Sequence, residues 1–447
     1  MESLDESKEK VLELAKNDKV RFVDLQFTDL FGTVKSVTIG MEHLGESLEK
    51  GTWFDGSSIE GFMRIAESDM YLMPDPETYA LIPWKVSERP TARMICDVYN
   101  SDSKPFEGDP RYILKRALAE AKKEGLTYNT GPELEFFLFK RDNGAIRALP
   151  HDSGGYFDLS MDQAYEVRRD MVLALEKFGI LVEMSHHEVA AGQHEIDFRY
   201  GNALRTADNA VTLKFTFKAI AQKHDLYATF MPKPIFGING SGMHVHQSLF
   251  DSKGRNVFFD EKDKYKLSKL AYGFIAGQLK HVRGISALLA PTVNSYKRLV
   301  PGYEAPVYIC WGQRNRSALI RVPKYSEGRQ QSTRAELRCP DPSCNPYLAF
   351  ASMLRAGLDG IRSSLAPPDP VEEDVYKFDD SKLKKFYITT LPGSLREALG
   401  EFENSKIVQE TLGPHAFENY LRNKKAEWDA FRIAVTDWEI SEYLGNL

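Results

Sequence analysis

The chain has 447 residues, 42% of them hydrophobic and 27% charged, which is the make-up of a globular protein long enough for two or three domains. Its 31 glycines and 22 prolines argue against a collagen-like or low-complexity chain. The net charge of −6 gives no electrostatic reason to expect nucleic acid or an anionic membrane as partner, and no apolar run reaches the ~20 residues of a membrane span.

The acidic start, Met1 to Glu6, lacks the apolar core of a signal segment. Cys96, Cys310, Cys339 and Cys344 form no paired motif, so reduced thiols and a cytoplasmic location are expected. In chain order, a helix at 9–16 leads into strands at 20–27 and 33–39, joined by the turn Asp29-Leu30-Phe31-Gly32. Further short strands at 80–84 and 92–98 complete a small, mostly β unit. The polar stretch 100–110 is its natural end, which divides the chain into 1–104 and 105–447.

Asp109 as N-cap, Pro110 at the first helical position and Gly125 beyond the end frame a helix striped with Leu114, Ala117, Leu118 and Ala121. A strand follows at 126–140. Ser160 to Gln163 has the pattern of a capping box for a second helix, with Val167, Met171, Ala174, Leu175 and Phe178 inward and Gly179 as its stop. Strands and long helices alternate to about Ser363, and the proline-rich stretch 366–374 is a loop. From Gly413 the tail is helical, with Phe417, Tyr420, Leu421, Trp428 and Phe431 on one side.

Four groups of residues carry possible chemistry. Glu133 and Glu135 sit two apart in an apolar strand, hence on one face. They are either an edge pair facing water or a buried pair that needs counter-charge. Glu183, His186, His187, Glu188, His194 and Glu195 cluster without the H-E-x-x-H spacing of a zinc protease, and alone they are weak evidence for a metal. A glycine-rich stretch, Gly237 to Gly242, is neither a Walker loop nor a dinucleotide fingerprint; after it, His244, His246 and Ser248 alternate onto one strand face. Arg298, Arg316, Arg321, Arg334 and Arg338 form a local positive run around Glu336, either a solvated basic face or a place for phosphates and carboxylates. Glutamates with a histidine or two favour Mg²⁺ or Mn²⁺ over Zn²⁺. With arginines they suggest metal-dependent phosphoryl transfer, with no substrate specified.

The sequence resembles glutamine synthetase type I. The resemblance is carried by Phe54-Asp55-Gly56-Ser57-Ser58-Ile59, the strand Gly131 to Phe139, Glu188 to Glu195, Phe230 to Pro234, Gly240 to Ser248, Asn294 to Pro306, Arg314 to Ser317 and Asp341 to Tyr347. These blocks follow family order over nearly the whole chain. The resemblance implies an α+β fold, with a small N-terminal β-grasp domain and a large catalytic domain of antiparallel sheet and flanking helices. It implies a homododecamer of two hexameric rings, with each active site closed by a neighbour's N-terminal domain and the C-terminal helix reaching the opposite ring. It implies ATP-dependent joining of ammonium to the γ-carboxylate of glutamate through γ-glutamyl phosphate.

By the same resemblance, Glu135, Glu188 and Glu195 would hold one Mg²⁺ or Mn²⁺, and Glu133, His244 and Glu336 a second. Arg298, Glu304, Arg316 and Arg338 would surround glutamate and the transferred phosphate, with Asn239 and Gly240 at the amino-acid end. Glu183, Tyr200, His246 and Ser248 would contact the nucleotide, and Arg321 and Arg334 its phosphates. Asp55 of a neighbour, assisted by Ser58, would bind and deprotonate ammonium.

Two departures bear on regulation. Phe386-Tyr387-Ile388-Thr389-Thr390-Leu391-Pro392 replaces the Asn-Leu-Tyr-Asp-Leu-Pro motif of the adenylylated subtype, and Arg64 matches the arginine tied to glutamine feedback in the shorter subtype. Feedback by glutamine without adenylylation is therefore expected, with a nitrogen-regulatory protein as a candidate partner. The loop 324–333 diverges, with Gln331 where some relatives place a basic residue. The rival readings are a ligase joining glutamate to a larger amine and a non-catalytic assembly on the same scaffold.

Overall fold

The computed structural model describes residues 4–57, 59, 61, 69–85, 89–142, 145–303 and 305–447. The N-terminal part holds helices α1 (Leu4–Asn17) and α2 (Leu44–Lys50) and strands β1 (Phe22–Thr28), β2 (Val34–Gly40), β3 (Thr52–Asp55), β4 (Asp69–Pro74), β5 (Ala80–Leu81) and β6 (Thr91–Asn100). The sheet order is β2-β1-β6-β4-β3, with β5 on β6. β1 and β6 run parallel, while β1–β2 is an antiparallel hairpin. Asp29 makes its turn: Oδ1 accepts from the backbone N–H of Phe31 at 3.0 Å and Thr33 at 2.9 Å, and Gly32 supplies a φ of +86°. A separate core including Val23, Leu25, Met94 and Phe106 lies under this sheet.

Residues 101–109 are turns and irregular backbone apart from a bridge between Tyr99 and Pro105. Helix α3 (Pro110–Lys123) then begins with Asp109 accepting from Arg111 N–H at 3.0 Å, and Gly125 follows with φ +73°. Leu114, Ala117 and Ala121 are buried, with Leu118 half-buried. The second helix, α4 (Tyr165–Lys177), corrects the expected capping box. Its N-cap is Ala164 with no side-chain cap: the helix begins only at Tyr165, so Ser160 and Gln163 lie before it, and Asp162 makes a buried pair with Arg168 at 2.5 Å. The inward face from Val167 to Phe178 is as expected.

The large sheet comprises β7 (Leu126–Asp142), β8 (Ala145–Pro150), β9 (Val182–His187), β10 (Gln193–Phe198), β11 (Gly201–Asn202), β12 (Leu226–Thr229), β13 (Met243–Asp251), β14 (Tyr308–Gly312), β15 (Ala318–Arg321) and β16 (Ala335–Leu337). Its order is β14-β15-β16-β13-β7-β10-β9, with β8, β11 and β12 also pairing with the long β7. All these pairs are antiparallel except β14–β15. Helices α5 (Ala203–Lys223), α6 (Lys269–Leu289), α7 (Ser295–Arg298), α8 (Pro346–Arg362), α9 (Asp380–Lys385), α10 (Leu395–Glu403), α11 (Lys406–Arg432) and α12 (Asp437–Tyr443) complete the chain. α5, α6 and α8 share the main core with the sheet. α11 bends at Gly413, where φ is +76° and Pro414 follows, so the tail helix restarts where the sequence places its start.

The four cysteines are buried and free. Among the described residues, no helix is long and apolar enough to cross a membrane.

Candidate active site

Strand pairing assembles the site. Glu133 and Glu135 face the same way from β7, and directly opposed residues on antiparallel neighbours extend that face. Glu135 lies opposite Glu195, which lies opposite His186 on β9. Glu133 lies opposite Asp197 on one side and His244 on the other. His246 lies opposite Glu336, and Glu336 opposite Arg321. β7 is interior to the sheet, so the edge-pair reading of its two glutamates does not hold.

In the first cluster, donor atoms of Glu133, His244 and Glu336 lie within 4.8 Å of one another. Glu133 Oε2 is 3.3 Å from His244 Nδ1, and Glu133 Oε1 is 2.7 Å from His246 Nε2. Glu336 accepts from Arg338 Nε at 3.1 Å and Arg321 Nη1 at 2.9 Å. Burial opposes ionisation of Glu133, but the two histidines overcome it and hold its carboxyl well below the usual range. Glu336 is likewise lowered, against burial, by His246, His244 and Arg338.

In the second cluster, Glu188 and Glu195 flank His186, at 3.7 Å from its Nδ1 and 3.2 Å from its Nε2. Glu135 shares this side of the sheet, but its Oε2 already accepts from Gln193 Nε2 at 2.8 Å and Gly242 N–H at 3.0 Å. Burial, then the charge of Glu188, pushes Glu135 up to about 8. Burial and the charges of Glu135, Glu133 and Glu188 push Glu195 up as well. Carboxylates that repel one another in a buried place are the donor set a hard divalent cation fits.

A third trio, His151, Asp152 and His194, also brings donor atoms within 4.8 Å, on the opposite side of the sheet. It does not suit a metal. Arg168 Nη1 donates to His194 Nδ1 at 3.0 Å, so Nε2 carries the hydrogen and has no lone pair to offer.

Two cavities open beside the clusters. A cleft of about 40 Å³ is lined by Glu135, Glu188, Asn239, Gly240, Arg298 and Arg338, among others. Arg298 is locked there by the carbonyls of Cys339 at 3.0 Å, Pro340 at 3.2 Å and Arg338 at 3.2 Å. Arg338 keeps a buried Nη1 without a partner. A larger cavity of about 420 Å³ is lined by Glu183, Tyr200, His246, Ser248 and Arg334. Gly131 belongs to its wall, and a Cβ there would come within 3.0 Å of Tyr200 Cβ. Glu133 lines the large cavity and His244 the small one, so the two meet at that 3.3 Å contact.

A family model described as "Glutamine synthetase, catalytic domain" matches residues 107–443, and one described as "Glutamine synthetase, beta-Grasp domain" matches residues 19–101. The chain belongs to the glutamine synthetase family. The glutamine synthetase of Clostridium saccharobutylicum is 54% identical over 98% of this chain and 99% of its own. That of Methanosarcina mazei is 53% identical over 99% and 98%. Among solved structures, a cryo-EM glutamine synthetase of Plasmodium falciparum matches with TM-score 0.88 and 26% identity over 99% of each chain. A GmaS–ADP complex matches with TM-score 0.87 and 32% identity over 97% of this chain and 99% of that one. The activity is ATP-dependent glutamine synthesis, and the fold is the expected β-grasp domain followed by an α+β catalytic domain.

Within this glutamine synthetase fold, Arg321 borders the first cluster, while Arg316 and Asp55 lie apart from both. Arg321 is half-buried against Glu336. Arg316 is exposed in the loop between β14 and β15. Asp55 is exposed at the end of β3 and lines neither cavity; the hydroxyl and backbone N–H of Ser57 hold its carboxyl below the usual range. Ser58, Arg64 and Glu304 fall outside the described residues.

Four residues were missed as site members. Gln193 and Asp197 share Glu195's strand face, a period-two signal that was there to find. Burial, then the charge of Glu195, pushes Asp197 up to about 9. His186, which the sequence shows only as one histidine of the 183–195 cluster, stands between Glu188 and Glu195. Arg329 lines the larger cavity beside Gln331, so the divergent loop does present a basic side chain there.

Proposed function

We propose that the two acidic clusters hold two divalent cations, Mg²⁺ or Mn²⁺, and that ATP in the larger cavity meets glutamate in the cleft beside it. Glu133, His244 and Glu336 would hold one cation, and Glu135, Glu188 and Glu195 the other. The observation that carries this reading is the meeting of the two cavities at Glu133 and His244. The cations supply charge neutralisation between an anionic acceptor and the γ-phosphate.

A free carboxylate is a poor acyl donor because its oxygen is a poor leaving group. Arg298 and Arg338 orient glutamate, with Asn239 and Gly240 at its amino-acid end. A γ-carboxylate oxygen attacks the γ-phosphorus and ADP leaves. Tyr200 stacks on adenine; Glu183, His246 and Ser248 contact the nucleotide; Arg316, Arg321 and Arg334 attend phosphates. Ammonia then attacks the acyl carbon of γ-glutamyl phosphate and phosphate leaves. Asp55, assisted by Ser58, takes the proton that makes ammonium a nucleophile. Glu304, between Pro301 and Pro306, closes over the intermediate and keeps water out.

Asp55 acts in this scheme from a neighbouring copy in a homododecamer of two hexameric rings. Its exposure away from its own chain's cavities supports that placement. So do Trp438, Ile440, Tyr443 and Leu444, which α12 and its end leave exposed to a partner copy. The division into domains 1–104 and 105–447, and feedback by glutamine through Arg64, belong to the same reading.

The test is phosphate release and glutamine formation with ATP, glutamate and either ammonium or a larger amine. Ammonium should be strongly preferred, and Glu336→Ala should lose about 100-fold or more of the activity. Preference for the larger amine would move the chain to the amine-ligase reading, and a fully active Glu336→Ala enzyme would overturn the metal assignment.

A further inference from the structure

Gln193 begins β10 at the end of the turn that carries Glu188, and only 1% of it is exposed. Its Oε1 accepts the backbone N–H of Ala190 at 3.2 Å. Its Nε2 donates to Glu135 Oε2 at 2.8 Å and to the Gly240 carbonyl at 3.2 Å, with Ser241 Oγ at 3.4 Å. A backbone carbonyl only accepts and a backbone N–H only donates, so the Gly240 and Ala190 contacts fix which end of the amide is nitrogen. One side chain therefore ties together the turn of Glu188, the strand of Glu135 and the loop of Asn239 and Gly240. The same loop reaches Glu135 a second time, through Gly242 N–H at 3.0 Å.

We propose that Gln193 is a positioning residue that makes cation binding at Glu135 and glutamate binding at Asn239–Gly240 depend on one another. This rests on the ligand and substrate placements proposed above. Glu135 Oε2 is fixed by two donors, and both belong to the substrate side: Gln193, which also holds Gly240, and Gly242 itself. Moving the loop shifts the donors of Glu135, and moving Glu135 releases the amide that holds the loop. Removing the amide leaves a buried carboxylate short of a donor and the Gly240 carbonyl without its side-chain anchor. The nucleotide cavity does not include Gln193, so ATP binding lies outside this linkage.

The test uses Gln193→Met, which keeps length without donors, and Gln193→Glu, which keeps shape but sets an acceptor against Glu135. The readouts are the Mg²⁺ concentration for half-maximal activity, KM for glutamate and KM for ATP, with Glu135→Gln alongside. Each Gln193 variant should raise both the Mg²⁺ requirement and the glutamate KM about tenfold or more, as for a lost hydrogen bond to a charged group. The ATP KM should stay within about twofold of the parent. A Mg²⁺ requirement or glutamate KM that stays at the parent value in both variants overturns the proposal, as does a parallel rise in ATP KM. If Glu135→Gln leaves the Mg²⁺ requirement unchanged, the ligand assignment itself fails and the proposal falls with it. Sensitivity in Glu135→Gln without sensitivity at Gln193 sinks the positioning role alone.

Discussion

His246 presents its Nε2 hydrogen to Glu133 Oε1 at 2.7 Å, because Arg334 Nε occupies its Nδ1 at 3.1 Å. The arginine thereby chooses the tautomer and aims the ring at a carboxylate of the first cluster. Arg334→Met should free the ring to place its hydrogen on Nδ1 and turn a lone pair toward an anionic oxygen. We expect the KM for ATP to rise about tenfold, the scale of one lost charge-assisted hydrogen bond, with a much smaller change for glutamate. Steady-state kinetics with each substrate varied would show this.

Glu135 connects metal binding to pH. Burial and Glu188 raise its carboxyl from an ordinary 4.5 to about 8 in the metal-free protein. Between those values the native state holds a proton that the unfolded chain has released. The metal-free enzyme should therefore lose stability as pH rises through that window. A cation needs the ionised carboxylate, so below about pH 8 it must displace that proton. The Mg²⁺ concentration for half-maximal activity should fall by up to about tenfold per pH unit from pH 6.5 to 8 and then level off. Metal titrations at several pH values would check this slope.

Gly242 leaves room for two functional side chains at once. A Cβ there would lie 2.5 Å from Arg298 Nη2 and 3.2 Å from His244 Nε2. Arg298 cannot retreat without giving up its bonds to three backbone carbonyls. Gly242→Ala should raise the glutamate KM by about tenfold or more and destabilise the fold by about 1–3 kcal/mol, as overpacking does. Glutamate titration and urea unfolding of this variant would report both.

Arg111 joins the two parts of the chain. It reaches Asp75 at 2.6 Å and Asp97 at 2.7 Å in the β-grasp part, and Asp208 on α5 at 3.0 Å. Its side chain is 3% exposed, so Arg111→Met would leave the buried Asp208 and the half-buried Asp75 and Asp97 short of counter-charge. A loss of about 3–5 kcal/mol in unfolding free energy is expected, measured by urea denaturation.

Much of this architecture was legible from local rules. The Asp109, Pro110 and Gly125 signals bounded α3 closely, and strand alternation placed Glu133 with Glu135 and His244 with His246. What alternation could not supply was which strands are neighbours. The pairing of Glu133 with His244, or of His246 with Glu336, joins positions far apart in sequence. Only the resemblance assigned each acid to a cation. The late start of α4 has a local cause: residues 160–163 lie before its first turn, where Asp162 accepts from Ala164 N–H and pairs with Arg168. Gln193 is not legible in the sequence because a lone amide carries no chemistry until its partners on β7 and the Gly240 loop are known.

The central claim is a pair of cations held by six side chains between nucleotide and substrate. A crystal structure of the enzyme with Mn²⁺ and ADP, with the metals located by anomalous scattering, tests it most directly. The account predicts two Mn²⁺ per chain, one touching Glu133, His244 and Glu336 and the other touching Glu135, Glu188 and Glu195. Peaks absent from these side chains, or a single ion bound elsewhere, would contradict it.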